Sequence, residues 1–196
     1  MKILIIGTGG IGSFLIRELN RLILNEQISL DENSITIMDF DEVEVKNLKY
    51  QNFEASDIGK NKAEVLGERY LFDYKKEKLT KPEQLKGYDF IMPCVDNTKA
   101  RKLIFEYCEA NDIYFIDARA EGRAIAIFTK NKKNTMKELL KTLNLKSKES
   151  KSCQLGYELE KNIIQQGNLI VATITSQLIL NKLRGEINLP RYNFMF

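Results

Sequence analysis

The sequence predicts an α/β protein with a doubly wound, mostly parallel sheet that carries helices on both faces. Short apolar segments alternate with segments of helical periodicity. A glycine-rich loop also joins the first apolar segment to the first helical one, and acidic residues follow the second apolar segment. The chain has 196 residues, of which 43% are hydrophobic and 29% charged, as is ordinary for one globular domain.

Strands are expected where short β-branched or aromatic segments are bounded by turn residues. In chain order, they are residues 2–6, 34–40, 75–80, 90–95, 114–118 and 124–128. Helices are expected where apolar residues recur three and four positions apart. In chain order, they are residues 11–24, 59–72, 98–111 and 169–183. The alternation of the two kinds of element favours a parallel sheet over separate helical and sheet regions.

The C-terminal part of the chain is expected to be buried. The last predicted helix is apolar over a wide arc, which indicates burial in the core or in a subunit interface. The second possibility leads us to expect a homodimer or a heterodimer. The tail, residues 187–196, is also apolar and is expected to dock as a strand or on a partner.

We expect a single domain over residues 1–196, with three regions that differ in composition. Residues 1–129 form the nucleotide-binding core, and residues 168–196 form the C-terminal helix and tail. Residues 130–167 form a lysine-rich crossover segment. This segment is either solvated chain or a docking surface for an acidic partner.

Several classes of function are excluded by what the sequence lacks. It contains no histidine, which excludes Ser–His and Cys–His pairs and histidine metal ligands within the chain. Its three cysteines form no Cys-x-x-Cys pair, so we expect neither zinc nor a disulfide framework. Free thiols are typical of a cytoplasmic protein. We expect no membrane span, and a net charge of +3 favours no nucleic-acid partner.

The glycine-rich loop between the first strand and the first helix contains Gly7, Gly9, Gly10 and Gly12. Glycines let the backbone turn sharply and approach a phosphate, while the helix N-terminus presents free N–H groups and a positive dipole end. The loop therefore predicts a Rossmann-like nucleotide site. A tight turn without a ligand is the alternative.

Acidic residues follow the second predicted strand. In folds of this kind, an acid at the end of that strand accepts hydrogen bonds from ribose hydroxyls. We predict this role for Asp39, with Asp41 beside it. The alternative for Asp39 is an acid of a surface turn.

Four motifs then follow one another in a fixed order along the core. They occupy residues 38–43, 47–51, 57–63 and 94–97, the last of these with Arg101 after it. Together they resemble the ThiF-type adenylyltransferases, which activate sulfur-carrier proteins and include the adenylation domains of ubiquitin-activating enzymes. The resemblance covers residues 1–128 well. It continues through the segment around Cys153 and the last helix, which are similar to ThiF-family proteins of PRTRC plasmid gene systems.

The resemblance implies an ATP-dependent enzyme that uses magnesium. In that family, the C-terminal carboxylate of a ubiquitin-like or sulfur-carrier protein attacks the α-phosphate, pyrophosphate leaves, and an acyl adenylate remains. Such chemistry needs charge neutralisation and in-line positioning rather than a nucleophilic side chain. The absence of histidine is therefore no obstacle.

The resemblance also implies roles for particular residues. The glycine loop would cradle the phosphates, Asp39 would hold the ribose, and Asn47 and Lys62 match phosphate-contacting positions. Asp96 matches the acid that holds magnesium. Asp41 and Lys49 lie in the same motifs and complete the expected nucleotide-binding set. Taken alone, Lys62 is equally a solvated helix lysine, and Asp96 with Asn97 is equally the cap of a helix.

Two positions depart from the family pattern. Tyr50 stands where the family has arginine, and a phenol carries no charge at neutral pH. Pro93 replaces the first acid of the family's Asp-Cys-x-Asp motif. A charge-stabilising group contributes ~10³-fold or more to such transfers. We therefore weigh an active enzyme against a nucleotide-binding pseudoenzyme that scaffolds a ubiquitin-like partner, with an NAD-dependent oxidoreductase as a third hypothesis.

Cys153 is the remaining candidate for catalysis. It is the cysteine predicted to lie outside regular structure, and the nearby Lys148 and Lys151 favour a reactive thiolate. Some members of the family use a cysteine in this crossover for a thioester or persulfide relay. An inert thiol is the alternative. Cys94 and Cys108 are expected to pack in the core.

Overall fold

The computed structural model describes residues 1–130, 136–143, 156, 160–161 and 163–195. Within these ranges the chain forms seven strands and five α-helices. The strands are β1 Lys2–Ile6, β2 Ser34–Met38, β3 Asp73–Lys75, β4 Phe90–Pro93, β5 Tyr114–Glu121, β6 Ala124–Thr129 and β7 Arg191–Met195. The helices are α1 Gly10–Leu24, α2 Lys62–Tyr70, α3 Thr98–Ala110, α4 Met136–Leu143 and α5 Gly167–Leu183.

All seven strands belong to one sheet, in the order β3-β2-β1-β4-β5-β6-β7. The first five are parallel to one another, whereas the pairs β5–β6 and β6–β7 are antiparallel. At the centre, Ile3 of β1 pairs with Ile35 of β2 on one side and with Phe90 of β4 on the other. The prediction of a doubly wound, mostly parallel α/β sheet is confirmed.

The central strand β1 separates two apolar layers, because successive side chains of a strand point to opposite faces. Ile3 and Ile5 pack into the layer that contains α1 and α5. Leu4 and Ile6 pack into the layer that contains α3 and α4. All four side chains are buried, which is typical of a parallel strand covered by helices on both faces.

The third strand differs from its prediction. A strand was expected over 75–80, but β3 ends at Lys75. The next residues are engaged otherwise: Lys76 forms an ion pair with Glu64 of α2 at 2.8 Å, and the Gln84 side chain accepts a hydrogen bond from the Thr80 backbone N–H. The segment after Lys75 thus makes contacts with α2 and with its own turn instead of pairing in the sheet.

The second predicted helix begins later than expected, at Lys62 rather than Gly59. Asn61 caps it, because its Oδ1 accepts a hydrogen bond from the backbone N–H of Glu64 at 3.0 Å. Gly59 lies in the turn before it with φ +82°. The cap places Lys62 in the first turn of α2.

The C-terminal part of the chain packs against its own core. Helix α5 lies against α1 and β5, so its predicted burial is achieved within the chain. The tail docks as strand β7, which pairs antiparallel with β6. Among the described helices, none combines the length and apolar character that crossing a membrane requires. The predicted dimer and the division into one domain stay predictions.

Candidate nucleotide-binding site

A cleft of about 300 Å³ opens at the carboxyl ends of β1, β2 and β4. Strand order reverses here, since the chain leaves β1 towards β2 on one side and returns to β4 on the other. Ligands of open α/β sheets bind at such switch points. The cleft is large enough to bind a small molecule.

The glycine loop forms the floor of this cleft, and Gly7, Gly9 and Gly10 line it. Gly7 has φ +92°, and a side chain there would also approach the carbonyl oxygen of Cys94 to 2.7 Å. Gly12 has a different task. It does not contribute to the cleft lining of the described residues, but any side chain at this position would collide with the carbonyl oxygen of Gly7. Gly12 therefore lets α1 begin directly against the loop.

Asp39 holds the glycine loop to the end of β2. Its Oδ2 accepts hydrogen bonds from the backbone N–H of Thr8 at 2.6 Å and from the Thr8 hydroxyl at 2.8 Å. Its Oδ1 accepts one from the backbone N–H of Asp41 at 2.9 Å. The carboxylate is buried and still contributes to the cleft wall. The surface-turn alternative is therefore wrong, whereas the contact with ribose stays a prediction.

The 3₁₀ turn Val45–Lys49 separates two of the predicted residues. Asn47 is 2% exposed and lines the cleft, with its Oδ1 accepting a hydrogen bond from the Glu44 N–H at 2.9 Å. Lys49 is exposed on the same turn and is not among the described residues of the cleft wall. The structure thus brings Asn47, and not Lys49, to the site.

Lys62 and Asp41 form an ion pair at the cleft. Lys62 Nζ lies 3.8 Å from Asp41 Oδ2, and the lysine side chain is only 8% exposed. The reading of Lys62 as a solvated helix lysine is therefore wrong. Burial raises the pKa of Asp41, and the carboxylates of Asp39 and Asp96 raise it further, against the opposing charge of Lys62.

Asp96 is exposed at the opposite wall of the cleft, in the loop after β4. Its neighbour Asn97 caps α3, because its Oδ1 accepts a hydrogen bond from the Lys99 N–H at 2.8 Å. The capping role assigned jointly to Asp96 and Asn97 thus belongs to Asn97 among the two. Asp96 is left facing the cleft.

The acidic residues of the cleft fit a magnesium ion that is shared with a ligand. Within the described ranges, no group of three or more acidic or cysteine side chains is placed to hold a metal. Magnesium is usually bound by one or two carboxylates together with phosphate oxygens and water. Asp41 and Asp96 both line the cleft, where a bound cation would offset their negative charge.

Several cleft residues were missed by the sequence analysis. Lys78 lines the cleft and places its Nζ 4.7 Å from the ring centroid of Phe40. Lys46 also lines it, and a hydrogen bond to Glu44 raises the pKa of that lysine. Lys46 directly precedes Asn47, which was a usable signal. Lys78 comes from the segment predicted as a strand, so its position carried no such signal.

The cysteines and Tyr50 are the remaining residues with sequence-based predictions. Cys108 is buried as expected, and burial raises the pKa of its thiol to about 12. Cys94 is half-buried and lines the cleft rather than lying fully in the core. Cys153 lies outside the described residues. Tyr50 lines the cleft, so the replacement for the family arginine lies at the site itself.

Comparison with known proteins connects the whole chain to one family. The model of the ThiF family matches residues 1–196. The tRNA threonylcarbamoyladenosine dehydratase of Haemophilus influenzae is 29% identical over 132 residues, which cover 61% of this chain and 48% of that protein. The SUMO-activating enzyme subunit 2 of Dictyostelium discoideum is 27% identical over 133 residues, which cover 62% of this chain and 19% of that protein. The chain thus matches about half or less of the length of these relatives.

Solved structures show the same fold. E. coli MccB crystallised with ATP superposes with a TM-score of 0.71 at 17% identity, covering 100% of this chain and 60% of that chain. The E. coli tRNA N6-threonylcarbamoyladenosine dehydratase, TcdA, superposes with a TM-score of 0.67 at 19% identity, covering 94% of this chain and 86% of that chain. MccB has also been crystallised with AMPCPP and MccA.

Proposed function

The chain belongs to the ThiF family, and from that premise we propose that it adenylylates the C-terminal carboxylate of a ubiquitin-like or sulfur-carrier protein. The observation that carries the proposal is the cleft at the switch point. It unites the glycine loop with Asn47, Lys62 and Asp96. These residues come from four separate segments of the sequence, and each matches a position that the family resemblance implies.

ATP is the proposed nucleotide. Backbone N–H groups of the loop and of the α1 N-terminus bind its phosphates, because they combine free donors with a positive dipole end. Lys62 adds a charge that burial keeps from being fully hydrated. Asp96 would hold magnesium, which when bound supplies positive charge at the phosphate oxygens. Crystals of MccB with ATP and with AMPCPP support this choice of nucleotide.

The proposed reaction needs no nucleophile from the protein. A terminal carboxylate is already ionised at neutral pH, so its oxygen attacks the α-phosphorus without a general base. A carboxylate oxygen–phosphorus bond forms, the bond from the α-phosphorus to the bridging oxygen breaks, and pyrophosphate leaves with the electron pair. The chain's task is to align these groups and to neutralise their charge.

The partner is proposed from the names of the relatives. One relative is a subunit of a SUMO-activating enzyme, and MccB was crystallised with MccA. These names support a peptide or protein substrate for the present chain. The same proposal includes a homodimer or heterodimer and a cytoplasmic location. It includes neither zinc nor a nucleic-acid partner. Cys153 as a relay thiol is proposed only on the resemblance.

A nucleotide-binding scaffold is the second candidate. The observation that favours it is Tyr50, which lines the cleft without the positive charge of the family arginine. Lys46 and Lys78 line the same cleft and could supply positive charge there, which favours the active enzyme. The NAD-dependent oxidoreductase has no support beyond the fold class.

Isothermal titration calorimetry with ATP and magnesium, and in parallel with NAD, tests the proposal. We expect the wild-type protein to bind ATP. We expect Asp96→Ala to lower the affinity for ATP by about tenfold or more when magnesium is present. The matched control is Asp31→Ala, an exposed acid away from the cleft. ATP-dependent exchange of pyrophosphate in the presence of a partner would favour the enzyme, and binding without exchange would favour the scaffold. Binding of NAD instead of ATP would refute both.

A further inference from the structure

Asn168 lies in the cleft wall with a carboxamide oxygen that is left unsatisfied. The residue belongs to the first turn of α5, is 2% exposed and lines the cleft. Within the described part of the chain, its Oδ1 is a buried atom without a hydrogen-bond partner. Its Nδ2 donates to the carbonyl oxygen of Tyr50 at 3.4 Å, which is a long and therefore weak bond.

The fold makes room for this side chain at the glycine loop. A side chain at Gly10, the first residue of α1, would collide with the Asn168 carboxamide. A side chain at Gly167 would approach the carbonyl oxygen of Gly122 to 2.7 Å, so the start of α5 is held close to the β5–β6 turn. The close contacts at Gly10 and Gly167 thus place the carboxamide beside the glycine loop.

A second amide on the same wall shows the same pattern. The side chain of Gln51 lines the cleft, and its Nε2 is 3.9 Å from where a side chain at Gly9 would begin. Its Oε1 is likewise buried and lacks a partner among the residues that the structure describes. Buried acceptors in folded proteins are nearly always paired, so two such oxygens beside one loop indicate a ligand with donors.

The polarity of these atoms restricts the ligand. Phosphate groups at neutral pH offer almost only acceptors, so the triphosphate of ATP does not satisfy a carboxamide oxygen. The partner has to be an N–H or O–H group. Under the proposed function, the second substrate brings a peptide N–H only a few bonds away from the carboxylate that attacks the α-phosphorus.

We propose that Asn168 is a specificity-determining residue that accepts a hydrogen bond from the last peptide N–H of the acyl substrate. This inference rests on the proposed function. The carboxamide turns about its Cβ–Cγ bond, whose torsion is broad, and exchanges the weak bond to Tyr50 for the bond to substrate. A small carboxylic acid without a peptide N–H leaves the oxygen unpaired and is therefore rejected.

The test uses two non-hydrolysable mimics of the acyl adenylate. One is 5′-O-sulfamoyladenosine acylated with acetyl-glycyl-glycine, and the other carries a methyl group on the last peptide nitrogen. Calorimetry with the wild-type protein is expected to show that methylation weakens binding by about tenfold or more. In Asn168→Leu, the two mimics are expected to bind with affinities within about twofold of each other.

Two further variants control the comparison. Gln177→Leu removes an exposed carboxamide elsewhere on α5 and is expected to keep the full penalty of methylation. Asn168→Asp keeps the acceptor and the size of the side chain, so it is expected to keep the preference for the peptide N–H. If Asn168→Leu does not fold, loss of the preference in a folded Asn168→Asp would overturn the assignment.

The outcomes distinguish failure of the role proposed for Asn168 from failure of the proposed function. A methylation penalty that persists in Asn168→Leu would overturn the assignment, because the methyl group would then act elsewhere. Loss of ATP and magnesium binding in Asn168→Leu would also overturn it and would place the carboxamide on the nucleotide or on a water held by magnesium. Failure of the wild-type protein to bind ATP and both mimics would refute the proposed function itself.

Discussion

Lys62 was predicted either to contact phosphate or to be a solvated helix lysine, and its surroundings exclude the second alternative. Its side chain is 8% exposed, and its Nζ lies 3.8 Å from Asp41 Oδ2. We predict that Lys62→Ala weakens ATP binding by ~10- to 100-fold, since the proposed hydrogen bond between the lysine and a phosphate oxygen of ATP is lost. Calorimetric titration checks this, with the exposed Lys60→Ala as the matched control. Equal affinities of the two variants would remove Lys62 from the site.

Tyr50 tests whether a missing charge limits the reaction. The side chain lines the cleft, so an arginine at this position has access to the phosphates. We predict that Tyr50→Arg raises pyrophosphate exchange by about tenfold or more. Tyr50→Phe, which changes no charge, is expected to leave the rate near that of the wild type. No increase in Tyr50→Arg would contradict the hypothesis that the missing arginine limits an active enzyme.

Asp41 links the charge of the cleft to stability. Burial and the neighbouring carboxylates raise its pKa above the ordinary value of 3.8, so the folded protein binds this proton more tightly than the unfolded chain. The stabilising effect of the proton is therefore complete below the unfolded pKa and is lost as pH rises through the higher folded pKa.

We accordingly predict that Asp41→Asn raises the melting temperature at neutral pH. The gain should shrink as pH falls, because the wild-type carboxyl group is then protonated in both states. Thermal unfolding of both proteins across a pH series checks this, with Asp31→Asn as the control for an exposed acid. A gain that does not depend on pH would contradict the electrostatic explanation.

At the scale of elements, the junction of β1 and α1 depends on the two kinds of glycine in its loop. A methyl group at Gly12 would meet the carbonyl oxygen of Gly7, whereas the nearest described atom to one at Gly9 is 3.9 Å away. We predict that Gly12→Ala lowers the free energy of unfolding by ~1–3 kcal/mol, as overpacking does, and that Gly9→Ala costs less. Urea denaturation of both variants checks this. The reverse order of stabilities would contradict the packing explanation.

The segment after β3 shows how an element is redirected by its neighbours. Residues 75–80 were predicted to extend the sheet, but only Lys75 does so. The following residues instead contribute Glu77, Lys78 and Leu79 to the cleft wall. Local propensity favoured a strand, whereas in the structure Lys76 pairs with Glu64 of α2 and the Lys81 backbone N–H donates to the Gln84 side chain.

At the scale of the whole molecule, a buried charge cluster joins the helix layer to the sheet. Asp117 of β5 is 0% exposed and accepts hydrogen bonds from Arg101 of α3 at 2.9 Å and from Arg119 at 2.6 Å. Arg119 also donates to the Thr142 hydroxyl of α4 at 3.0 Å. One carboxylate thus connects a strand with both helices of this face.

We predict that Asp117→Ala destabilises the protein by ~3–5 kcal/mol, because it leaves two partly buried guanidinium groups without their counter-charge. Chemical denaturation measures this. Arg191→Ala provides a control on the same face, since Arg191 is exposed, stacks on the ring of Phe128 and donates a hydrogen bond to the Asn193 side chain at 3.0 Å. A loss in Asp117→Ala no larger than in this control would show that the cluster contributes little to stability.

Residue patterns along the chain were enough to predict the fold class and the local parts of the site. Alternating apolar segments specified β1, α1 and α3 to within a residue or so, because periodicity acts over neighbouring positions. The glycine loop was recognisable for the same reason. Motif resemblance then supplied Asn47, Lys62 and Asp96, which all line the cleft.

The packing of distant segments determines which other residues join them in the cleft. Asn168 follows the glycine loop by more than half the chain and reaches it because α5 packs against α1. Lys78 enters the wall where a strand was expected, and Lys49 is exposed although its motif matched. Sequence periodicity carries no information about such approaches, since they depend on strand order and on helix packing between distant segments.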